Sequence, residues 1–291
     1  MSRIAYVNGQ YLPQSLAMVP IEDRGYQFAD GVYEVCEVFD GALIDEPHHM
    51  ARLARSLSEL RIDMPLAGDA LPVVLREVMR RNRLTNGFLY LQVTRGVAPR
   101  DHGFPQKPVR PALVVTAKSV DPGKGEALAR KGIAIASTAD IRWKRVDIKS
   151  ISLLPNVLAK QEARDKGCYE AWLIDEKGFV TEGASSNAWI ITQDGTIVTR
   201  AADHAILRGV TRTTLMKLIA ELQLPVEERS FTLAEALAAR EAFISAATNL
   251  VMPVVTIDGH QIGDGRPGPI ATRLRSLFHE AAAKTEWAAR R

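Results

Sequence analysis

The chain is short of the residues and motifs that mark many common chemistries. It has two cysteines, Cys36 and Cys168, in 291 residues. Neither has metal-ligand spacing around it. A disulfide framework and a cysteine-bound zinc are therefore excluded, and two free thiols in a reducing cytoplasm are expected. There is no GxGxxG, no GxxxxGK[ST], no HExxH and no GxSxG, so no dinucleotide fingerprint, P-loop, zincin helix or nucleophile elbow is expected. His48 and His49 are adjacent rather than four apart, so they do not form a helical metal pair, and no metal is expected. No apolar run approaches a membrane span, and the opening MSRIAYVNGQ lacks an apolar signal core. The net charge is only +3. That gives no footprint for nucleic acid or an acidic membrane.

What is present suits a soluble globular protein of one large or two smaller domains, with 46% hydrophobic and 24% charged residues. Hairpins are expected at Asn8-Gly9, Asp40-Gly41 and Asp258-Gly259. A helix with Pro47 in its first turn carries Met50, Leu53, Leu57 and Leu60 on one face. A second helix is expected behind Asp69 as N-cap. Strands at 88–93 and 112–117 flank a long Pro/Gly-rich loop, Thr94 to Pro108. Residues 1–120 read as an N-terminal α+β domain and 121–126 as a linker. Residues 127–291 read as a β-rich C-terminal domain. Thr232 and Glu235 form a capping box. A closing amphipathic helix is expected from Ile270 to Ala289.

Two residues carry the chemical argument. Lys149 sits in VDIKSISLLP, where apolar and β-branched neighbours solvate an ammonium poorly; desolvation makes an amine a better nucleophile. Glu182 follows a short hairpin and opens the small-residue run Gly183-Ala184-Ser185-Ser186-Asn187. An amine for a Schiff base plus a carboxylate for a pyridinium nitrogen is the minimum kit for pyridoxal phosphate chemistry. By itself a strand lysine is most often a solvated surface residue. Other polar groups add to the case. Arg100 and His102 are two apart and point one way if the loop is extended. With a hydroxyl such as that of Tyr33 they can hold a carboxylate. Asp101 between them carries a charge that can pair with either. Leu207-Arg208-Gly209-Val210-Thr211 leads into a helix N-terminus, the geometry of a phosphate site.

The segments DRGYQFADGVYEV, HMARL, YLQVTRGVAPRDHGFP, IRWKRVDIKSISLLPNVLAKQEARDKGCYEA, VTEGASSN, ILRGVTR and FISAAT together resemble the fold-type IV pyridoxal phosphate enzymes. Within them they are most similar to the bacterial D-amino acid aminotransferases. The resemblance runs from near residue 20 to past residue 250. It implies a two-domain α+β fold with pyridoxal 5′-phosphate between the domains. It implies amino transfer between a D-amino acid and a 2-oxo acid, in a homodimer. By the resemblance, Lys149 is the Schiff-base lysine and catalytic base, and Glu182 faces the ring nitrogen. Leu207 packs on the ring. Arg52, Val210 and Thr211 take the phosphate. Tyr33, Arg100 and His102 hold the substrate carboxylate, the last two across the subunit interface. One departure is visible: Ala246-Ala247-Thr248 stands where the family has Ser-Thr-Thr, leaving backbone N–H groups at Ala247 in place of a hydroxyl. Branched-chain L-aminotransferases, (R)-selective amine transaminases and aminodeoxychorismate lyases share the fold and stay open as alternatives. So does a non-catalytic cofactor binder, against which the pair Lys149 and Glu182 argues.

Overall fold

The structure, a computed structural model, describes residues 3–67 and 70–285. The chain divides into two compact units. One comprises the chain to Asp121 with Ile148–Ser152 and the stretch from Ala283; the other comprises Pro122–Asp147 and Leu153–Ala282.

The first unit runs β1 (Ile4–Val7), β2 (Gln10–Pro13), α1 (Arg24–Phe28), β3 (Gly31–Phe39), β4 (Ala42–Ile44), α2 (Glu46–Glu59), α3 (Ala70–Asn82), β5 (Gly87–Thr94) and β6 (Ala112–Ser119). The second runs α4 (Pro122–Lys131), β7 (Ile133–Ala139), α5 (Leu154–Asp165), β8 (Glu170–Ile174), β9 (Phe179–Gly183), β10 (Asn187–Ile191), β11 (Ile197–Thr199), α6 (Val210–Glu221), β12 (Val226–Glu228), β13 (Phe231–Thr232), α7 (Leu233–Leu237), β14 (Glu241–Ala246), β15 (Leu250–Ile257), β16 (His260–Gln261) and α8 (Pro269–Ala281). A last short strand, β17 (Lys284–Thr285), returns to the first unit and pairs with β4.

The expected hairpins form where both turn residues tolerate positive φ. Asn8 and Gly9, Asp40 and Gly41, and Asp258 and Gly259 all have it, as a type I′ turn requires. In the first unit a seven-stranded sheet has the order β17-β4-β3-β5-β6-β1-β2. Strand β3 alternates, with Val32, Glu34, Cys36 and Val38 buried. Helices α2 and α3 close that face with Leu53, Leu57, Leu75 and Val78. A glutamate therefore stands in a core row, a point that bears on the site below.

In the second unit the larger sheet has the order β12-β11-β10-β14-β15-β7-β8-β9-β13, with β16 beside β15. Strands β7 and β8 pair in parallel, so the chain must cross over between them. That crossover carries Arg142, Lys149 and α5. Ala159 and Ala163 of α5 pack on Ala136 and Ala171 of the sheet; small residues on both sides let the helix approach closely.

Several expectations are revised. Residues 121–126, read as a linker, hold the start of α4. Lys149, expected in the C-terminal domain, lies in Ile148–Ser152, which belongs to the first unit. The lysine lies on no regular strand; Ser150 makes an isolated bridge to Val32. The closing helix stops at Ala281 rather than Ala289, because Ala282 turns extended and the following residues pair with β4. The expected N-cap Asp69, and the last residues expected in that helix, 286–289, lie outside the described residues.

Candidate active site

In the first unit the lysine segment lies along the start of β3. The Tyr33 amide donates to the Lys149 carbonyl at 3.0 Å, and the Ile151 amide donates to the Gly31 carbonyl at 3.1 Å. The Lys149 amide donates to Ser56 Oγ at 3.3 Å. These bonds set Lys149 against Tyr33, with Nζ 4.1 Å from the centre of the phenol ring. The ammonium has no hydrogen bond or ion pair with any described residue. No described carboxylate occupies Nζ, so the nitrogen is left available for a carbonyl to approach, with the free amine as the attacking form.

Below Tyr33, Glu34 points into the core and is fully buried. Arg52 forks onto it, with Nε–Oε1 and Nη2–Oε2 both 2.7 Å. His49 Nδ1 is 2.7 Å from Oε2. Burial pushes the Glu34 carboxyl up, but the charge and hydrogen bonds of Arg52, with His49, outweigh it and hold it down at about 2. Arg52, expected as a phosphate ligand, thus has its orientation set by a carboxylate that the motifs do not single out. A signal for it exists in the sequence: Glu34 occupies the inward register of an alternating strand, and His49 and Arg52 are three apart on a helix.

Arg100 and His102 lie exposed on the same unit. Arg100 Cζ is 4.8 Å from the centre of the Phe28 ring, and the Phe28 and His102 rings are 5.4 Å apart. Asp101 pairs with neither neighbour; its carboxylate accepts from the Gly103 amide at 3.3 Å. Tyr33 instead faces Tyr90, with ring centres 5.7 Å apart.

In the second unit the carboxylate of Glu182 is buried and held from several sides. Arg142 Nη1 donates to Oε1 at 2.5 Å. Asn187 Nδ2 donates to Oε2 at 3.0 Å, and the Leu207 amide donates at 3.1 and 3.2 Å. Asn187 Nδ2 also donates to the Leu207 carbonyl at 2.9 Å, so Glu182 and Leu207, which come from separate motifs, are tied to one amide. Arg142 itself is fixed by Asp140, with Nε–Oδ1 2.9 Å and Nη2–Oδ2 2.7 Å. The sequence assigns no role to Arg142 or Asn187, although both stand in its distinctive motifs, IRWKR and TEGASSN.

Helix α6 starts at Val210 behind Gly209, which provides no side-chain cap. A Cβ at Gly209 would come within 2.1 Å of Asn187 Oδ1, so the backbone must pass close here. Thr211 is buried, and its hydroxyl is not engaged by any described residue. Ala247 sits in the turn between β14 and β15. An uncapped N-terminus of a twelve-residue helix with an unengaged threonine is the donor set that a phosphate requires. The residues present fit a phosphorylated pyridine cofactor. No three metal-ligating side chains gather among the described residues, and none of the described helices is long and apolar enough to cross a membrane.

Residues 31–257 match the family described as amino-transferase class IV. A D-alanine aminotransferase of Staphylococcus haemolyticus is 41% identical over 276 residues, covering 94% of this chain and 96% of its own. A D-alanine aminotransferase of Bacillus licheniformis is 41% identical over 287 residues, covering 96% and 98%. Among solved structures, a branched-chain amino acid aminotransferase from Escherichia coli superposes with a TM-score of 0.84 at 25% identity, covering 96% of this chain and 94% of that one. The two-domain α+β fold is that of the fold-type IV enzymes, and this chain belongs to the class IV aminotransferases.

Proposed function

We propose that this protein is a pyridoxal 5′-phosphate-dependent D-amino acid aminotransferase. It moves the amino group between a D-amino acid and a 2-oxo acid, as in D-alanine plus 2-oxoglutarate giving pyruvate plus D-glutamate. The observation that carries the reading is the buried Glu182 carboxylate, held by Arg142, Asn187 and the Leu207 amide. The relatives named D-alanine aminotransferase, 41% identical over nearly the whole chain, favour it over the branched-chain reading, whose Escherichia coli neighbour is 25% identical.

When bound, the cofactor supplies a carbonyl for the amine and a ring that withdraws electrons from the substrate α-carbon. Lys149 Nζ would hold the cofactor between turnovers and, with substrate bound, would take the proton from the substrate α-carbon and deliver it to the cofactor's former carbonyl carbon. Glu182 would supply the negative charge that favours a protonated ring nitrogen, and Arg142 pairs with its carboxylate. Leu207 would pack on the ring, and Arg52 with the amides of Val210, Thr211 and Ala247 and the Thr211 hydroxyl would take the phosphate. Tyr33, Arg100 and His102 take the substrate carboxylate.

Arg100 and His102 serve the partner subunit of a homodimer. Their exposure supports this, since neither has an ion pair with a described residue. So does the exposed apolar surface at Met18, Ile21 and Tyr26, and at Leu154, Val157 and Leu158, which a partner would cover. Cytoplasmic residence goes with the two free thiols.

Paired assays of D- and L-alanine with 2-oxoglutarate test the reaction. D-alanine is expected to turn over and L-alanine poorly. Preference for L-leucine would transfer the protein to the branched-chain class.

A further inference from the structure

We propose that Phe28 is a positioning residue for Arg100 and His102, and that Arg24 and Arg95, both fixed by Asp30, anchor the loop that carries them. The inference rests on the reading of Arg100 and His102 as the carboxylate trap.

A trap on an exposed loop has a physical difficulty. An arginine side chain is long and rotatable, and ordering it on binding costs conformational entropy. The structure answers this with aromatic contacts and buried charge. The centre of the Phe28 ring is 4.8 Å from Arg100 Cζ, 4.9 Å from Arg24 Cζ and 5.4 Å from the His102 ring. One ring therefore touches both trap residues and the anchor. Arg24 is buried and each of its three guanidinium nitrogens is engaged. Nε meets Asp30 Oδ2 at 2.8 Å, Nη1 donates to the Asp101 carbonyl at 2.6 Å and Nη2 donates to the His102 carbonyl at 3.4 Å. The carbonyls bound are those of the residue between the two trap residues and of the second trap residue.

Asp30 is shared. Arg95 reaches it with Nε at 2.7 Å and Nη2 at 3.0 Å. Arg95 also donates to the Arg61 and Leu60 carbonyls at 2.9 and 2.8 Å, and its Cζ lies 3.8 Å from the Phe104 ring centre. The loop is thus pinned at two places, by Arg24 at residues 101 and 102 and by Arg95 at residue 104. At its root the Arg24 amide donates to the Gly96 carbonyl at 2.9 Å. A Cβ at Gly96 would lie 2.1 Å from the Arg110 carbonyl oxygen, so the two ends of the loop are closely apposed. The tip is left free to present guanidinium and imidazole, and neither is paired with a carboxylate among the described residues. Preorganised donors of this kind lower the cost of holding a substrate carboxylate and leave the proton chemistry at Lys149 untouched.

The test uses the cofactor-loaded enzyme and two probes, D-alanine as substrate and propionate as a carboxylate without an amine. Phe28→Leu and Phe28→Met remove the ring, with Met as the variant that keeps more volume; Phe28→Tyr keeps it; Arg100→Leu removes the trap itself. Loss of the ring is expected to raise KM for D-alanine and the propionate inhibition constant about three- to tenfold, on the scale of an exposed cation–π contact or a little more. The maximal rate and the absorbance of bound cofactor should hold, and Phe28→Tyr should stay within about twofold of the parent. If Arg100→Leu weakens propionate binding while Phe28→Leu and Phe28→Met leave it unchanged, Phe28 does not position the trap and the inference falls. If Arg100→Leu itself leaves propionate binding unchanged, the trap reading fails first and takes the inference with it.

Discussion

Arg142 places Nη1 2.5 Å from Glu182 Oε1 while its other donors fork onto Asp140. One guanidinium therefore balances the buried carboxylate of Glu182 and the half-buried one of Asp140. Burial alone would lower its affinity for a proton, but the hydrogen bonds and charges of Asp140 and Glu182 outweigh that and raise it. Removing the cation leaves two carboxylates without their counter-charge, which costs about 3–5 kcal/mol for a broken buried pair. Arg142→Gln should lower the denaturant midpoint of the cofactor-free protein accordingly, and Arg142→Lys should recover part of the loss. An unchanged midpoint in Arg142→Gln would mean that the cluster contributes nothing to folding.

Lys149 gives the most direct chemical prediction. Its side chain is half-buried and touches mainly the Tyr33 ring, so Lys149→Ala deletes few contacts. The variant should fold with stability within about 1 kcal/mol of the parent. It should bind cofactor without covalent attachment and lose nearly all turnover. Borohydride reduction followed by mass measurement is the check. A cofactor adduct trapped on the variant at another lysine would refute the assignment.

Glu34 links the site to acid stability. Its carboxyl lies at about 2 in the folded protein against an ordinary 4.5. A depressed folded value stabilises the protein above the unfolded value and is lost as pH falls through the folded one. Stability should therefore decline between about pH 4.5 and pH 2. The full difference is worth about 3 kcal/mol. In Glu34→Gln this slope should flatten, although the protein should be weaker at neutral pH because Arg52 loses its buried partner. Parallel pH profiles for the two proteins would show that Glu34 titrates normally when folded.

The residues that name the chemistry are legible in the sequence, and those that hold them are not. Lys149 and Glu182 stand in distinctive local wording. The pairs that fix Arg52 and Glu182 run across the chain: Arg52 with Glu34 over 18 residues and Arg142 with Glu182 over 40. A contact set by the tertiary fold leaves little trace in spacing. The same holds for the fold. Hairpins at Asn8-Gly9, Asp40-Gly41 and Asp258-Gly259 follow from turn chemistry that a local window contains. Helix α4 does not, since Pro122, Gly123 and Gly125 argue for a loop; burial of Ala129 in the core overrides them. Strand β17 is two residues long and exists through its pairing with β4.

Assembly gives the last prediction. Arg100 and His102 lie on the first unit, exposed and without ion pairs among the described residues, and are read as completing the site of a partner subunit. Two inactive variants, Lys149→Ala and Arg100→Ala, then have lesions that segregate when their subunits exchange. In a hybrid dimer one site carries both lesions and the other carries neither. Random mixing makes about half of the dimers hybrids, so roughly a quarter of all sites should regain full activity. If Arg100 serves its own subunit, each site of a hybrid keeps one lesion and mixing restores nothing. Exchange is verified independently by tagging one variant and recovering both chains together. Recovered activity approaching a quarter of the parent's, appearing at the rate of exchange, is the expected result. Complete exchange without any recovery would place Arg100 in its own subunit's site.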